Sequence, residues 1–176
     1  MPIVKFFKEN SRIITSLISF QLGIDVFSAI VSLSTYKLSE KIFLYSGIFC
    51  VIFYLFLILT ATNDEGAKDS VRISSGRTAP MPLKGLYISL IANSLNLLFA
   101  VIIILTHFIG ATQIRDAFKI IAYFLQGMYG PFLTLFAGMN PFFYLLIPIP
   151  AIIVSTLFYY IGMRGILLIP EKKRKN

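Results

Sequence analysis

The sequence predicts an all-α integral membrane protein, a four-span transmembrane helical bundle with a fifth apolar segment that is re-entrant or kinked. Three observations carry this. Apolar residues make up 57% of the 176 and charged residues only 14%, with a mean hydropathy of +0.81. Soluble domains carry about 25% charged residues. The charges fall in short clusters, and four of the apolar runs between them, 13–36, 42–62, 86–110 and 142–163, are long enough to cross. A ~30 Å hydrocarbon core takes roughly 20 helical residues. Residues 1–176 are expected to form a single polytopic domain.

The N-terminal MPIVKFFKENSR followed by an apolar run resembles the start of a signal peptide. The run is too long for an ordinary h-region, carries Gln21 and Asp25, and is not followed by an A-x-A site. It reads as an uncleaved first span. After the second span comes a hydrophilic loop, 63–84, whose Gly, Ser and Pro content argues against a separate folded domain. The third span follows, and then the ambiguous segment 120–138, interrupted by Gly127 and Gly130-Pro131.

Charge decides how that segment is treated. Four full spans with both termini cytoplasmic put twelve of the sixteen Lys and Arg residues inside, whereas five spans split them nine to seven. The positive-inside rule favours the first arrangement in a cell membrane. Segment 120–138 then enters and leaves on the same face, which backbone tolerates only where protein or a wet cavity covers it. A kinked fifth span is the alternative. The last span opens with Asn140-Pro141 and contains Pro148 and Pro150, which remove backbone donors and loosen its first turns. Tyr159 and Tyr160 read as interfacial anchors, and 171–176 as a basic tail at the membrane surface.

Two spans carry polar or small stripes. Gln21, Asp25, Ser28, Ser32 and Thr35 share one face of the first, and Ser89, Asn93, Asn96, Ala100, Ile103 and His107 one face of the third. Matching stripes are expected to pack together, bringing Asp25 level with Asn93 and Asn96. An acid facing lipid would cost about 2.5–3.5 kcal/mol. The functional reading of this seam is a proton or cation site centred on Asp25. The structural alternative is interhelical hydrogen bonding at about 0.6 kcal/mol per bond. His107, near the outer end of its span, reads as an interfacial, solvated residue, with pH sensing as the alternative. Ser46, Cys50 and Tyr54 form a weaker polar edge on the second span.

The cytoplasmic loop holds Asp64, Glu65 and Asp69, then Arg72, Arg77 and Lys84. The acids do not have EF-hand spacing. The basic half is expected to dock on anionic lipid headgroups or on a protein partner. No G-x-S-x-G or H-E-x-x-H motif is present. One Cys and one His cannot supply a zinc site, so neither a metal nor another cofactor is expected. The net charge of +8 is read as cytoplasmic loops rather than as a nucleic-acid surface. Three function classes follow. The leading one is a non-enzymatic accessory subunit of a transport complex, or a small oligomeric channel-like component. The second is a stand-alone proton- or cation-coupled conduit using Asp25, Asn93 and Asn96. The third is a lipid-headgroup enzyme using Asp64 and Asp69. The expected partners are membrane lipids and either another protein or further copies of the chain.

Overall fold

A computed structural model describes residues 3–35, 39–134 and 140–168. The expected end of the first span at Tyr36, part of the 120–138 segment (135–138) and the basic tail lie outside the described residues, as do the side chains of Ser32 and Thr35. The described chain is helical, without strands. It begins with two long helices, α1 (Ile3–Thr35) and α2 (Glu40–Ser74). At 1.5 Å per residue each is about 50 Å long, well over the hydrocarbon thickness of a bilayer. Large apolar side chains stand exposed along them, among them Val26, Ile30 and Leu33 on α1 and Phe49, Ile52 and Phe56 on α2. Among the described residues three helices are long and apolar enough to cross a membrane, or four if a bent pair counts as one span.

The segment expected as the loop 63–84 is mostly helix. α2 runs on through Asn63 to Ser74, leaving only 75–83 as a connection. Charges spaced for a helix support the extension. Lys68 pairs with Asp64 at 2.6 Å, four residues apart, and Arg72 with Asp69 at 2.9 Å, three apart. The helix stops where Gly76 takes a φ of 71° and prolines follow.

Short-range contact with α8 (Ile149–Met163) holds the extension in place. A Cβ on Gly162 would collide with the Asn63 carbonyl oxygen, and one on Gly66 with the Tyr159 carbonyl oxygen. Small residues let the two backbones meet, as at close crossings in membranes. Asn63 then ties down the end of α8. Its amide donates to the carbonyls of Phe158 at 3.3 Å and Ile166 at 3.0 Å, and its oxygen accepts the Leu168 N–H at 3.0 Å. These bonds fasten the residues after α8 to the side of α2.

The third span is broken. α3 (Lys84–Ala92) and α4 (Ser94–Ile109) meet at Asn93 with a 60° bend. No proline lies there. The Ser89 carbonyl accepts both the backbone N–H of Asn93 at 2.9 Å and its side-chain amide at 3.0 Å. Asparagine competes with the helical ladder through such local bonds, which is why a continuous 86–110 helix does not form.

α4 ends at Gly110, with φ 76°, and the chain reverses into α5 (Thr112–Leu125). Phe99 of α4 stacks obliquely on Phe118 of α5, with centroids 5.7 Å apart, so the two run antiparallel. A 3-10 turn (Gly127–Tyr129) and the short α6 (Gly130–Phe132) follow, with Pro131 seated against Gly47 of α2. By Phe142 the chain is back beside Phe108, 6.1 Å away at the end of α4. From the end of α4 the chain thus runs inward through α5 to the turn at 127–131, and this helical arm starts earlier than the expected 120. A short α7 (Phe143–Leu146) then leads into α8.

Replacing Gly162 by Ala is expected to cost about 1–3 kcal/mol through overpacking, lowering the thermal midpoint of the detergent-purified protein. Gly23→Ala is the control, because a Cβ there meets nothing within 4 Å. A Gly162→Ala variant as stable as Gly23→Ala would contradict the close crossing.

Candidate functional site: Asp25 under the hairpin turn

The Gly127–Pro131 interruption frees backbone groups inside the bundle, and the polar stripe of α1 meets them. Gln21 Nε2 donates to the Leu125 carbonyl at 3.0 Å, the last carbonyl of α5. Asp25 Oδ1 accepts the Met128 N–H at 3.1 Å, and Ser28 Oγ donates to the Gly127 carbonyl at 3.1 Å. Three side chains on one helix face thus satisfy one acceptor, one donor and one further acceptor of the turn. Gly127 eases the approach, because a Cβ would lie a tight 3.1 Å from the Asp25 carbonyl oxygen. Tyr123 and Thr134, from opposite arms, both donate to the Gly130 carbonyl, at 2.7 and 2.8 Å.

Asp25 is 4% exposed, and among the described residues no cation lies within ion-pair distance of it. Its second oxygen has no hydrogen-bond partner there. The same holds for both polar atoms of the Gln126 amide and for the Tyr129 hydroxyl, all fully buried. Cys50 faces Ser28, and Tyr54 and Tyr129 are close enough to Asp25 to interact with its charge. The polar edge expected on the second span thus contributes Cys50 and Tyr54 to this core. Ser46 bonds locally, to the Phe43 carbonyl at 2.7 Å.

The expected encounter of Asp25 with Asn93 and Asn96 is not among the hydrogen bonds. All three are buried, but Asn93 turns back to Ser89, and Asn96 donates to Asn93 Oδ1 at 3.3 Å. Two causes separate them: the bend at Asn93 redirects α4, and the hairpin turn occupies the α1 stripe. His107 is exposed, its Nδ1 3.3 Å from Arg115.

At the opposite end of the bundle, two of the three expected docking cations are already engaged. Lys84 reaches Asp69 Oδ2 at 2.5 Å, and Arg72 reaches Asp69 Oδ1 at 2.9 Å. Arg77 is exposed, with no ion pair among the described residues. Tyr159, expected as an interfacial anchor, is 1% exposed and donates to Asp69 Oδ2 at 2.8 Å. The close crossing of α8 with Gly66 and Gly85 draws it inward. Burial pushes the Asp69 carboxyl up, but the hydrogen bonds from Lys84, Tyr159 and Arg72 outweigh this and hold it below the usual aspartate range.

Sequence reasoning missed Gln126 and Tyr129. A glutamine directly before the first glycine of the break was the available signal for one. Tyr129 had none, since tyrosine is common throughout this chain.

Asp25→Ala is expected to leave the Met128 N–H without its partner and raise its hydrogen-exchange rate at least tenfold. Asp25→Asn keeps an acceptor and should leave exchange near wild type. Equal protection in all three would remove Asp25 from the turn.

Asp69 has its own pH signature. A depressed carboxyl stabilises the fold fully above the ordinary aspartate pKa of about 3.9. That contribution is lost as pH falls through the lower native value. Asp69→Asn should therefore cost about 1–3 kcal/mol at pH 7, and the gap to wild type should close on acidification below pH ~4 in thermal melts.

No protein-family model, no curated protein and no solved structure matches this chain, so its function is read from the chemistry of its own residues.

Proposed function

We propose that the protein is a small non-enzymatic, channel-like component of membrane transport, in which Asp25 beneath a re-entrant hairpin takes up a proton or a cation. The observation that carries the reading is the state of Asp25. One oxygen holds the hairpin turn, and the other is buried with no hydrogen-bond partner and no cation within ion-pair distance among the described residues. A lone carboxylate in a low-dielectric interior is costly until it gains a proton or a counter-ion. An intramembrane acid facing the bundle interior is the usual mark of an ion or proton pathway. The hairpin ties that event to backbone position, because the carboxylate that would change state also holds the Met128 N–H.

Orientation follows from charge. Lys5, Lys8, Arg12, Lys68, Arg72, Arg77, Lys84 and Arg164 all belong to one side of the four-span arrangement, which supports a cytoplasmic Asp69 cluster and an outward-facing hairpin mouth. A lipid-headgroup enzyme built on Asp64 and Asp69 finds less support. Both oxygens of Asp69 are already engaged, Oδ1 by Arg72 and Oδ2 by Lys84 and Tyr159, and two flanking cations disfavour a metal ion there. An accessory subunit remains the second reading, favoured by the large apolar side chains left exposed on every long helix.

Proteoliposomes carrying the wild-type chain are expected to dissipate an imposed proton or cation gradient, and Asp25→Asn to slow this at least tenfold. Unchanged flux in Asp25→Asn would remove Asp25 from the pathway. Absence of flux in wild type, with a stoichiometric protein partner in native mass spectrometry, would establish the accessory role instead.

A further inference from the structure

A groove of about 670 Å3 opens sideways between α1 and α5, on the flank of the bundle. Val26, Ile30 and Leu33 form one wall, Ile120 and Phe124 the other, and Asp25 lines the groove with Gly127 of the hairpin turn. The lining is almost wholly apolar with Asp25 as its one acid, and among the described residues Asp25 Oδ2 lies buried without a hydrogen-bond partner.

We propose that this groove binds lipophilic monocations, with Asp25 as their counter-ion. The inference rests on Asp25 being a functional group within the membrane and names the class of ligand it takes. Two requirements define that class. The occupant must leave water for an apolar groove, which excludes strongly hydrated small ions there, because little in the wall replaces their shell. It must also carry positive charge, since an uncharged acyl chain would fill the volume and leave the Asp25 oxygen as it is. A cation whose charge is spread or shielded by rings meets both. The exposed ring of Phe124 and the Tyr123 side chain add aromatic faces that attract such a charge.

Lys119 also borders the groove and turns to Asp116, 3.7 Å away, which Arg115 shares at 3.4 Å. It stands six residues before the end of α5, about 9 Å along the helix. Asp25 is the one acid in the groove wall, and among the described residues no cation lies within ion-pair distance of it, so a single positive charge is its complement.

The test uses the purified full-length protein in nanodiscs, with tetraphenylphosphonium as probe and neutral triphenylphosphine oxide as comparator. Wild type is expected to bind the cation saturably and the neutral compound at least tenfold more weakly. Asp25→Asn should weaken cation binding at least tenfold. Ala29→Phe, which fills the groove from its α1 wall and leaves Asp25 and its hairpin seat untouched, should do the same. This second variant carries the test if Asp25→Asn fails to fold. Equal binding of the cation and the neutral compound, or cation binding unaffected by Ala29→Phe, overturns the proposal. Proton flux that depends on Asp25, with no saturable cation binding, overturns this inference alone. Saturable binding lost in both variants, with no proton flux in wild type, supports it and removes the proton pathway.

Discussion

A chain that turns inside an apolar bundle must find partners for the backbone groups the turn releases, because neither water nor lipid is there to take them. The Gly127–Pro131 interruption imposes this constraint, and α1 answers it with Gln21, Asp25 and Ser28. Much of the architecture follows. The hairpin sits between α1 and α2 where Gly127 and Gly47 leave room for it. With the hairpin there, the α1 stripe is spent on backbone, and the amides of α4 bond among themselves.

The other end of the bundle is organised by close contact of backbones. Gly66, Gly85 and Gly162 let α8 approach α2 and α3 until a single added carbon would collide. Tyr159 is thereby carried under the charged end of α2, where its hydroxyl joins Lys84 and Arg72 on Asp69. The cations that could have served as a free basic surface are instead partners of a nearly buried acid. Glycine spacing and charge pairing act together here: the first brings three helices into register, and the second fixes them.

The two ends differ in how their acids are treated. Asp69 has every oxygen occupied and a cation on each side, an arrangement suited to holding structure. Asp25 gives one oxygen to the turn, and among the described residues its other, buried oxygen has no hydrogen-bond partner. That asymmetry is why the proposed function centres on Asp25, although Asp69 lies among more charges.

Hydropathy and charge by themselves determined that the described chain is helical, that its long helices are apolar enough to span, and that Gln21, Asp25, Ser28, Ser89, Asn93 and Asn96 turn inward, though His107 does not. Each of those depends on composition and on the 3.6-residue period. The Gly-x-x-Gly-Pro break was equally legible, since glycine and proline punctuate any helix. What those stripes would touch was not. Periodicity shows which residues share a face but not which neighbour covers it, so Asp25 was matched to Asn93 and Asn96 when its partner is a backbone N–H 103 residues away. The bend at Asn93 was hidden for a related reason, since asparagine can extend a helix or divert it depending on where its side chain bonds. Tertiary structure also settled the 63–84 segment. Gly66 looks like a loop residue in isolation and becomes a helix contact only once Gly162 is placed against it.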